Sequence, residues 1–241
     1  MRFKEELGQI FWFPQNRISH FYFIRRMDGD FDLVDTSVFF ERAKIDYFLR
    51  EQKKGLKRLV LTHGHPDHAG NAQYVTDKYH CEVFAHPKEL PFLKGIASMK
   101  VRDYTGINLF GRLIQFGDMI IGQPICKGSL AYDSSSDLLN DYDFFPLHGH
   151  TTGSTGVFHK TSRSLFLGDA LVNNSAIEFK PVKGLKLPYR YFAEDYDMAI
   201  ASLSTLHHLD FDNAFFGHGD PLIGNAKEVI VDFLNKEGIR P

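Results

Sequence analysis

Three histidines and one aspartate fall within six positions in the run His63-Gly64-His65-Pro66-Asp67-His68. Imidazole and carboxylate are the usual ligands of zinc, iron and manganese. Four such groups on one turn would be costly to bury with nothing bound. The run therefore reads as half of a metal site, and the chain must supply the other half. Three later turns carry suitable side chains: His148-Gly149-His150-Thr151-Thr152-Gly153, Leu167-Gly168-Asp169-Ala170 and Gly217-His218-Gly219-Asp220. Each follows a short apolar stretch and is flanked by glycine, which permits tight turns and close backbone approach. A site built this way could hold divalent cations and activate water.

The chain has 12 histidines, so isolated ones are discounted. His20, His80, His86, His159, His207 and His208 have no comparable context and read as surface or satisfied core residues. His148 shares a turn with His150 and reads as a structural residue or one that orients a ligand. Asp35 ends the stretch Leu33-Val34-Asp35-Thr36. It is either a turn former or a carboxylate that orients a ligand histidine from behind. Asp220 reads as a turn residue. Tyr189 and Arg190 lie in an irregular segment after Asp169; they are either surface loop residues or substrate contacts.

The elements that must position these residues follow from hydrophobic periodicity. Gln9 to Pro14, His20 to Arg25 and Phe31 to Thr36 read as an antiparallel meander, punctuated by Asn16-Arg17 and Asp28-Gly29-Asp30. Glu41 to Gln52 reads as an amphipathic helix ended by Gly55. Lys57 to Leu61 is the strand leading into the histidine run, and His68 to Tyr79 the helix leaving it. Glu82 to Ala85 is a further strand, and His86-Pro87 opens a helical piece. Residues 95–141 are irregular, with short strands at Arg112 to Phe116 and Met119 to Ile121 and a polar turn at Asp133 to Asp137. Strands follow at Asp143 to Leu147, Gly153 to His159, Ser164 to Leu167 and Asn213 to Phe216. Residues 171–193 are again irregular, and helices span Asp195 to His208 and Ala226 to Leu234. Two groups of strands, each with helices, imply two packed sheets with helices outside.

Length and composition set the frame. The 241 residues suit one large domain or two small ones, and 43% hydrophobic with 24% charged residues is ordinary for a globular protein. The 23 Phe point to an aromatic-rich core or pocket. A net charge of −2 gives no basic face that would announce nucleic acid. Cys81 and Cys126 form no CxxC pair and read as reduced thiols. The acidic start carries no signal-like apolar run, and no stretch approaches the roughly 20 apolar residues of a membrane span. The expectation is a cytoplasmic protein acting on a small molecule, with neither nucleic acid nor membrane as partner and a homodimer as the assembly to test.

Taken together and in order, His63-x-His65-x-Asp67-His68, Gly149-His150-Thr151, Gly168-Asp169 and Gly217-His218-Gly219 resemble the metallo-β-lactamase fold superfamily, from Asp35 to His218. The resemblance implies an α/β fold, a four-layer αββα sandwich of two mixed sheets, formed by residues 1–241 as a single domain. It implies one metal held by His63, His65 and His150, a second held by Asp67, His68 and His218, and Asp169 bridging them. Two divalent ions are expected, zinc first, with iron or manganese as alternatives. True β-lactamases of this superfamily lack the bridging aspartate, and in one large group a cysteine completes the second metal. Neither cysteine here falls in a motif. The pattern looks instead like the glyoxalase II and lactonase branches, although the stretch after His218 is too short for the helical substrate domain of full-length glyoxalase II. A stand-alone core is expected.

The implied chemistry is hydrolysis of an ester, thioester or lactone by a dimetal-activated hydroxide, whose parent water has its pKa lowered to about 7. Asp67, or a metal-bound water, is expected to return a proton to the leaving group. Specificity is expected in residues 95–141 and 171–193, with Tyr189 and Arg190 as candidate substrate contacts. Three other readings compete: a mono-iron dioxygenase that oxidises sulfur compounds, a metal-dependent phosphodiesterase or nuclease, and a member that binds metal only for structure.

Overall fold

The computed structural model describes residues 1–16, 18–98, 122–173 and 183–241. They form two compact units, one of residues up to Ser134 and one of residues from Ser135 to Pro241. The expected strands Arg112 to Phe116 and Met119 to Ile121 lie outside the described residues.

The first unit opens with β1 (Lys4–Glu6), β2 (Ile10–Trp12), β3 (Tyr22–Arg25) and β4 (Phe31–Val34), each antiparallel to the next. Helix α1 (Arg42–Gln52) then carries the chain over to β5 (Leu56–Val60), which runs parallel to β4. A parallel neighbour requires such a crossover. Two helices, α2 (Pro66–Ala69) and α3 (Ala72–Tyr79), lead to β6 (Glu82–Ala85), and α4 (Leu90–Leu93) precedes β7 (Leu130–Ala131). The sheet order is β1-β2-β3-β4-β5-β6-β7, and β4 to β7 are parallel. Their C-terminal ends therefore share one edge, and the turns leaving them are neighbours.

One face of this sheet, through Phe11, Phe23, Phe31 and Leu33, packs against Ile45, Phe48 and Leu49 of α1 and Val75 of α3. Phe48 stacks on Phe23 at 4.0 Å between ring centres and meets Phe31 edge-on at 5.0 Å. Much of the phenylalanine content thus builds this core, where edge-on and offset rings pack well.

Several expectations are corrected here. Strand β1 was not expected: its Lys-Glu-Glu sequence has no apolar signal, and its pairing with β2 forms it. The helix after the histidine run is two helices. At the break, the buried Asn71 donates its side-chain amide to the carbonyls of Thr36 and Val38 at 2.8 and 2.7 Å. Gly70 beside it has no room for a side chain, since a Cβ would stand 2.3 Å from Pro66 O. Helix α1 ends not at Gly55 but at Lys53, in the left-handed conformation with φ +53°.

The second unit begins with α5 (Ser136–Asp141), where Ser135 caps the helix by accepting from Leu138 N at 3.2 Å. The polar stretch expected as a turn is thus a 3-10 turn (Tyr132–Ser134) followed by a capped helix start. Strands β8 (Tyr142–Pro146), β9 (Thr155–His159) and β10 (Ser164–Phe166) are antiparallel in sequence. Residues expected to be irregular form a small ribbon of β11 (Val172–Asn173) with β12 (Leu185–Lys186). Helix α6 (Tyr196–Ser202) starts under the Asp195 side chain, which accepts from Met198 N at 2.9 Å. The helix expected to continue to His208 tightens to 3-10 geometry over Leu203–His207. Lys227 satisfies the carbonyls of Leu206, His207 and Leu209 at its end, at 2.7, 2.6 and 2.6 Å. Strand β13 (Asn213–Phe215) lies parallel to β10, giving the order β13-β10-β9-β8, and α7 (Ala226–Lys236) closes the chain. Leu165, Leu167, Leu203, Leu206, Ala214 and Ile230 belong to this unit's core. Both main sheets are mixed, as expected.

Candidate metal centre

In the first unit, the turn leaving β5 carries His63, His65, Asp67 and His68. The three histidines are buried, and Asp67 keeps 27% of its side chain exposed. His63 Nε2 and His65 Nδ1 face each other at 3.1 Å. Nitrogens of two ligands on one tetrahedral zinc stand roughly 3.3 Å apart, from the usual Zn–N distance of about 2.05 Å. His68 Nε2 lies 3.8 Å from Asp67 Oδ2. The atoms thus pair as His63 with His65 and Asp67 with His68. The donor set suits a divalent cation: imidazoles and carboxylate, buried together on one turn.

Asp35, at the end of β4, controls this turn. It sits in the left-handed region, with φ +56°. Its Oδ2 accepts from His68 Nδ1 at 2.8 Å and from Thr62 Oγ1 at 2.7 Å, and its Oδ1 accepts from Thr62 N at 2.8 Å. Thr62 Oγ1 has spent its hydrogen on Asp35, so it accepts from His63 Nδ1 at 3.1 Å. One carboxylate therefore fixes two tautomers, one directly and one through Thr62. Both rings therefore carry Nδ1–H, which puts the lone pair on Nε2, the atom a metal would take. Tyr132, just past β7, donates its hydroxyl to the Leu61 carbonyl. Ser19 donates to the Asp67 carbonyl and contacts Ser37 Oγ at 2.9 Å.

In the second unit, three turns converge. Asp169 Oδ2 lies 3.3 Å from His150 Nε2, and Asp169 Oδ1 lies 3.2 Å from His218 Nε2. Each carboxylate oxygen thus faces a different buried histidine. The turns are tied to one another by backbone: Gly217 N donates to Gly168 O at 2.8 Å. Asn173 N donates to His218 O at 3.1 Å, and the Asn173 side chain donates to Asp220 O at 2.7 Å. Gly149 has φ +120°, and a Cβ there would fall 2.1 Å from Ala199 N. Only glycine lets the His150 turn pack this closely on α6.

His148 donates Nδ1–H to the Ser154 carbonyl at 3.1 Å, which braces the loop holding His150. Tyr189 is mostly buried beside Tyr191, with Lys186 Nζ 4.3 Å above its ring. Arg190 is 74% exposed, 3.6 Å from Asp197 and 4.5 Å over the Tyr196 ring. Of the discounted histidines, His159 contacts Ser162 Oγ at 2.7 Å and His207 donates to Ile239 O at 3.0 Å. Thr62, Tyr132 and Asn173 escaped the sequence reading. Thr62 could have been found, since it directly precedes the first histidine and its hydroxyl can bridge. Tyr132 and Asn173 act on backbone atoms far away in sequence, which no pattern marks.

The Metallo-beta-lactamase superfamily model matches residues 15–218. This chain belongs to that superfamily. Two superfamily relatives come from Bacillus subtilis (strain 168). The probable metallo-hydrolase YflN is 27% identical over 188 residues, 75% of this chain and 71% of YflN. The probable metallo-hydrolase YybB is 29% identical over 209 residues, 86% of this chain and 84% of YybB. Among solved structures, the BLEG-1 B3 metallo-beta-lactamase superposes with a TM-score of 0.64 at 20% identity, covering 93% of this chain and 99% of that one. TTHA1623 in a di-iron-bound form superposes at 0.61 and 20% identity, covering 88% and 93%. At these identities the likeness concerns the fold: the metallo-β-lactamase fold, with two main mixed sheets and helices. Among the described residues, no helix is long and apolar enough to cross a membrane.

Proposed function

We propose that this chain is a metal-dependent hydrolase with a dimetal centre. In this reading His63, His65 and His150 would hold one cation, Asp67, His68 and His218 would hold the other, and Asp169 would serve both. The observation that carries this reading is the splayed Asp169 carboxylate, one oxygen on His150 and the other on His218. A carboxylate divided between two histidines in this way could serve two cations at once. The superfamily match runs through both units, so residues 1–241 are read as one domain. The names of YflN and YybB support hydrolysis. Zinc is the first choice of metal; the di-iron form of TTHA1623 keeps iron as the alternative, with manganese also suited to this donor set.

Two cations held there would supply water of lowered pKa and an electrophile for a developing oxyanion. The chain's own residues do the rest. Asp35 holds His68, and through Thr62 His63, in the ligand tautomer. Asp67 is the half-buried carboxylate of the turn, and its exposure lets it pass a proton to a leaving group. Carbonyl substrates are assigned: an ester, thioester or lactone of a small molecule. Tyr189 and Arg190 are the proposed substrate contacts. The two buried, unbridged cysteines support a reducing, cytoplasmic setting.

Elemental analysis of the purified protein, with assays on aryl esters, thioesters and lactones, tests the reading. Two metals per chain are expected. His150→Ala and Asp169→Ala should lose metal and activity together while circular dichroism stays native. Full activity in either metal-free variant would sink the mechanism. One iron per chain with oxygen uptake would replace it with sulfur oxidation, and selective cleavage of a bis-aryl phosphodiester with phosphodiester hydrolysis.

A further inference from the structure

The mechanism above makes no use of Glu89. It is a carboxylate with 0% exposure, placed on the turn after β6. Strand β6 lies parallel to β5, with Val60 opposite Phe84 and Leu61 N donating to Phe84 O at 2.9 Å. The turn after β6 therefore runs beside the turn that carries His63 and His65. Glu89 closes that gap: its Oε2 accepts from Gly64 N at 2.9 Å. Gly64 is the residue between the two histidines whose ring nitrogens face each other at 3.1 Å. The backbone of Glu89 is itself fixed, with its N donating to His86 O at 2.8 Å and its O accepting from Leu93 N at 3.0 Å as α4 begins.

We propose that Glu89 is a positioning residue for the metal centre. It acts through the Gly64 peptide to set the angle between His63 and His65. The inference rests on the metal-centre reading. Gly64 has two soft torsions and no side chain to restrict them, so without an anchor it would let the two rings part. A buried carboxylate is costly to hold, and a neutral side chain could serve the Gly64 amide only if its oxygen reached the same point. Asp35 fixes the tautomers of His63 and His68. Glu89 fixes the spacing of His63 and His65.

Three variants separate hydrogen bond from charge. Glu89→Gln keeps the reach and an acceptor oxygen but removes the charge. Glu89→Asp keeps the charge but withdraws the oxygen by one methylene. Glu89→Ala removes both. Each is compared with wild type by chelator competition for zinc, by the visible absorption of the cobalt(II)-loaded protein, and by the Gly64 amide proton shift in metal-free protein. Glu89→Gln should keep the wild-type cobalt spectrum and bind zinc within about threefold. Glu89→Asp and Glu89→Ala should weaken zinc binding about 10–100-fold, alter the spectrum and move the Gly64 shift. If Glu89→Ala does not fold, the Gln and Asp pair decides alone. Wild-type spectra and affinity in Glu89→Asp would overturn the assignment, as would a Glu89→Gln variant as impaired as Glu89→Asp. A wild-type protein that binds no metal would instead remove the metal-centre reading, and the inference with it.

Discussion

Asp35 Oδ2 receives the Nδ1–H of His68 at 2.8 Å, at the bottom of the histidine turn. The same carboxylate takes both the hydroxyl and the amide of Thr62. Three donors thus end on one side chain, and an amide in its place could accept at only one atom. Asp35→Asn should therefore weaken metal binding about 10–100-fold. The backbone will tolerate the change, because asparagine accepts the left-handed conformation that Asp35 adopts. Chelator competition on folded protein measures this, and wild-type affinity would refute the role given to Asp35.

Gly219 has φ +101°, and a Cβ there would lie 1.3 Å from the Asn173 carbonyl oxygen. That oxygen accepts from Asp220 N at 3.0 Å, so it cannot retreat without loosening the turn of His218. Gly219→Ala should cost about 2 kcal/mol or more of stability. It should also reduce metal content, first at the proposed position that includes His218. Urea denaturation and metal titration read the two effects, and an alanine variant with unchanged midpoint and two metals would contradict them.

The turns that carry the proposed ligands were legible because chemistry and local structure coincide in them. An apolar strand ends, glycine frees the backbone, and a histidine or aspartate follows. Helix α7 showed its periodicity in sequence because one face, through Ala226, Ile230 and Leu234, meets a core, and strand β6 showed as the apolar run Val83-Phe84-Ala85, buried on both faces. What failed to show was of two kinds. Strand β1 is exposed and charged, so only its partner β2 makes it a strand. Tyr132 and Glu89 bond to backbone atoms of Leu61 and Gly64, across 71 and 25 residues respectively. A side chain whose partner is a distant peptide group leaves no periodic or motif signal. Parallel neighbouring strands bring their exit turns together, and that relation appears only once the strand order is known.

Phe48 illustrates a residue on which the fold depends without touching the candidate site. It is fully buried, stacked on Phe23 and edge-on to Phe3 and Phe31, each at 5.0 Å. Phe48→Ala should lower stability by about 3–5 kcal/mol. The folded fraction should still bind the wild-type complement of metal, because the histidine turn is braced by Asp35 and Tyr132. A loss of metal stoichiometry in protein shown to be folded would mean that the aromatic core also sets the ligand geometry.

Asp46 of α1 gathers three donors: Tyr74 and Tyr79 hydroxyls, both at 2.6 Å, and Lys78 Nζ at 2.8 Å. Burial pushes its carboxyl pKa up, but these hydrogen bonds outweigh burial and hold it below the ordinary carboxylate value. The unfolded chain therefore takes up the Asp46 proton at a higher pH than the folded one, and acid favours unfolding. The contribution is complete above the unfolded pKa of roughly 3.9 and disappears as pH falls through the lower folded value. Asp46→Asn removes the titration but leaves every histidine of the proposed metal centre in place, so their protonation cancels when the two proteins are compared. Wild type should be the more stable at about pH 6, and its advantage in urea midpoint should shrink as pH falls toward about 3. A constant advantage across that range would show that the two tyrosines and Lys78 bind the protonated and ionised carboxyl equally well. The anchor between α1 and α3 would then be a matter of shape and not of charge.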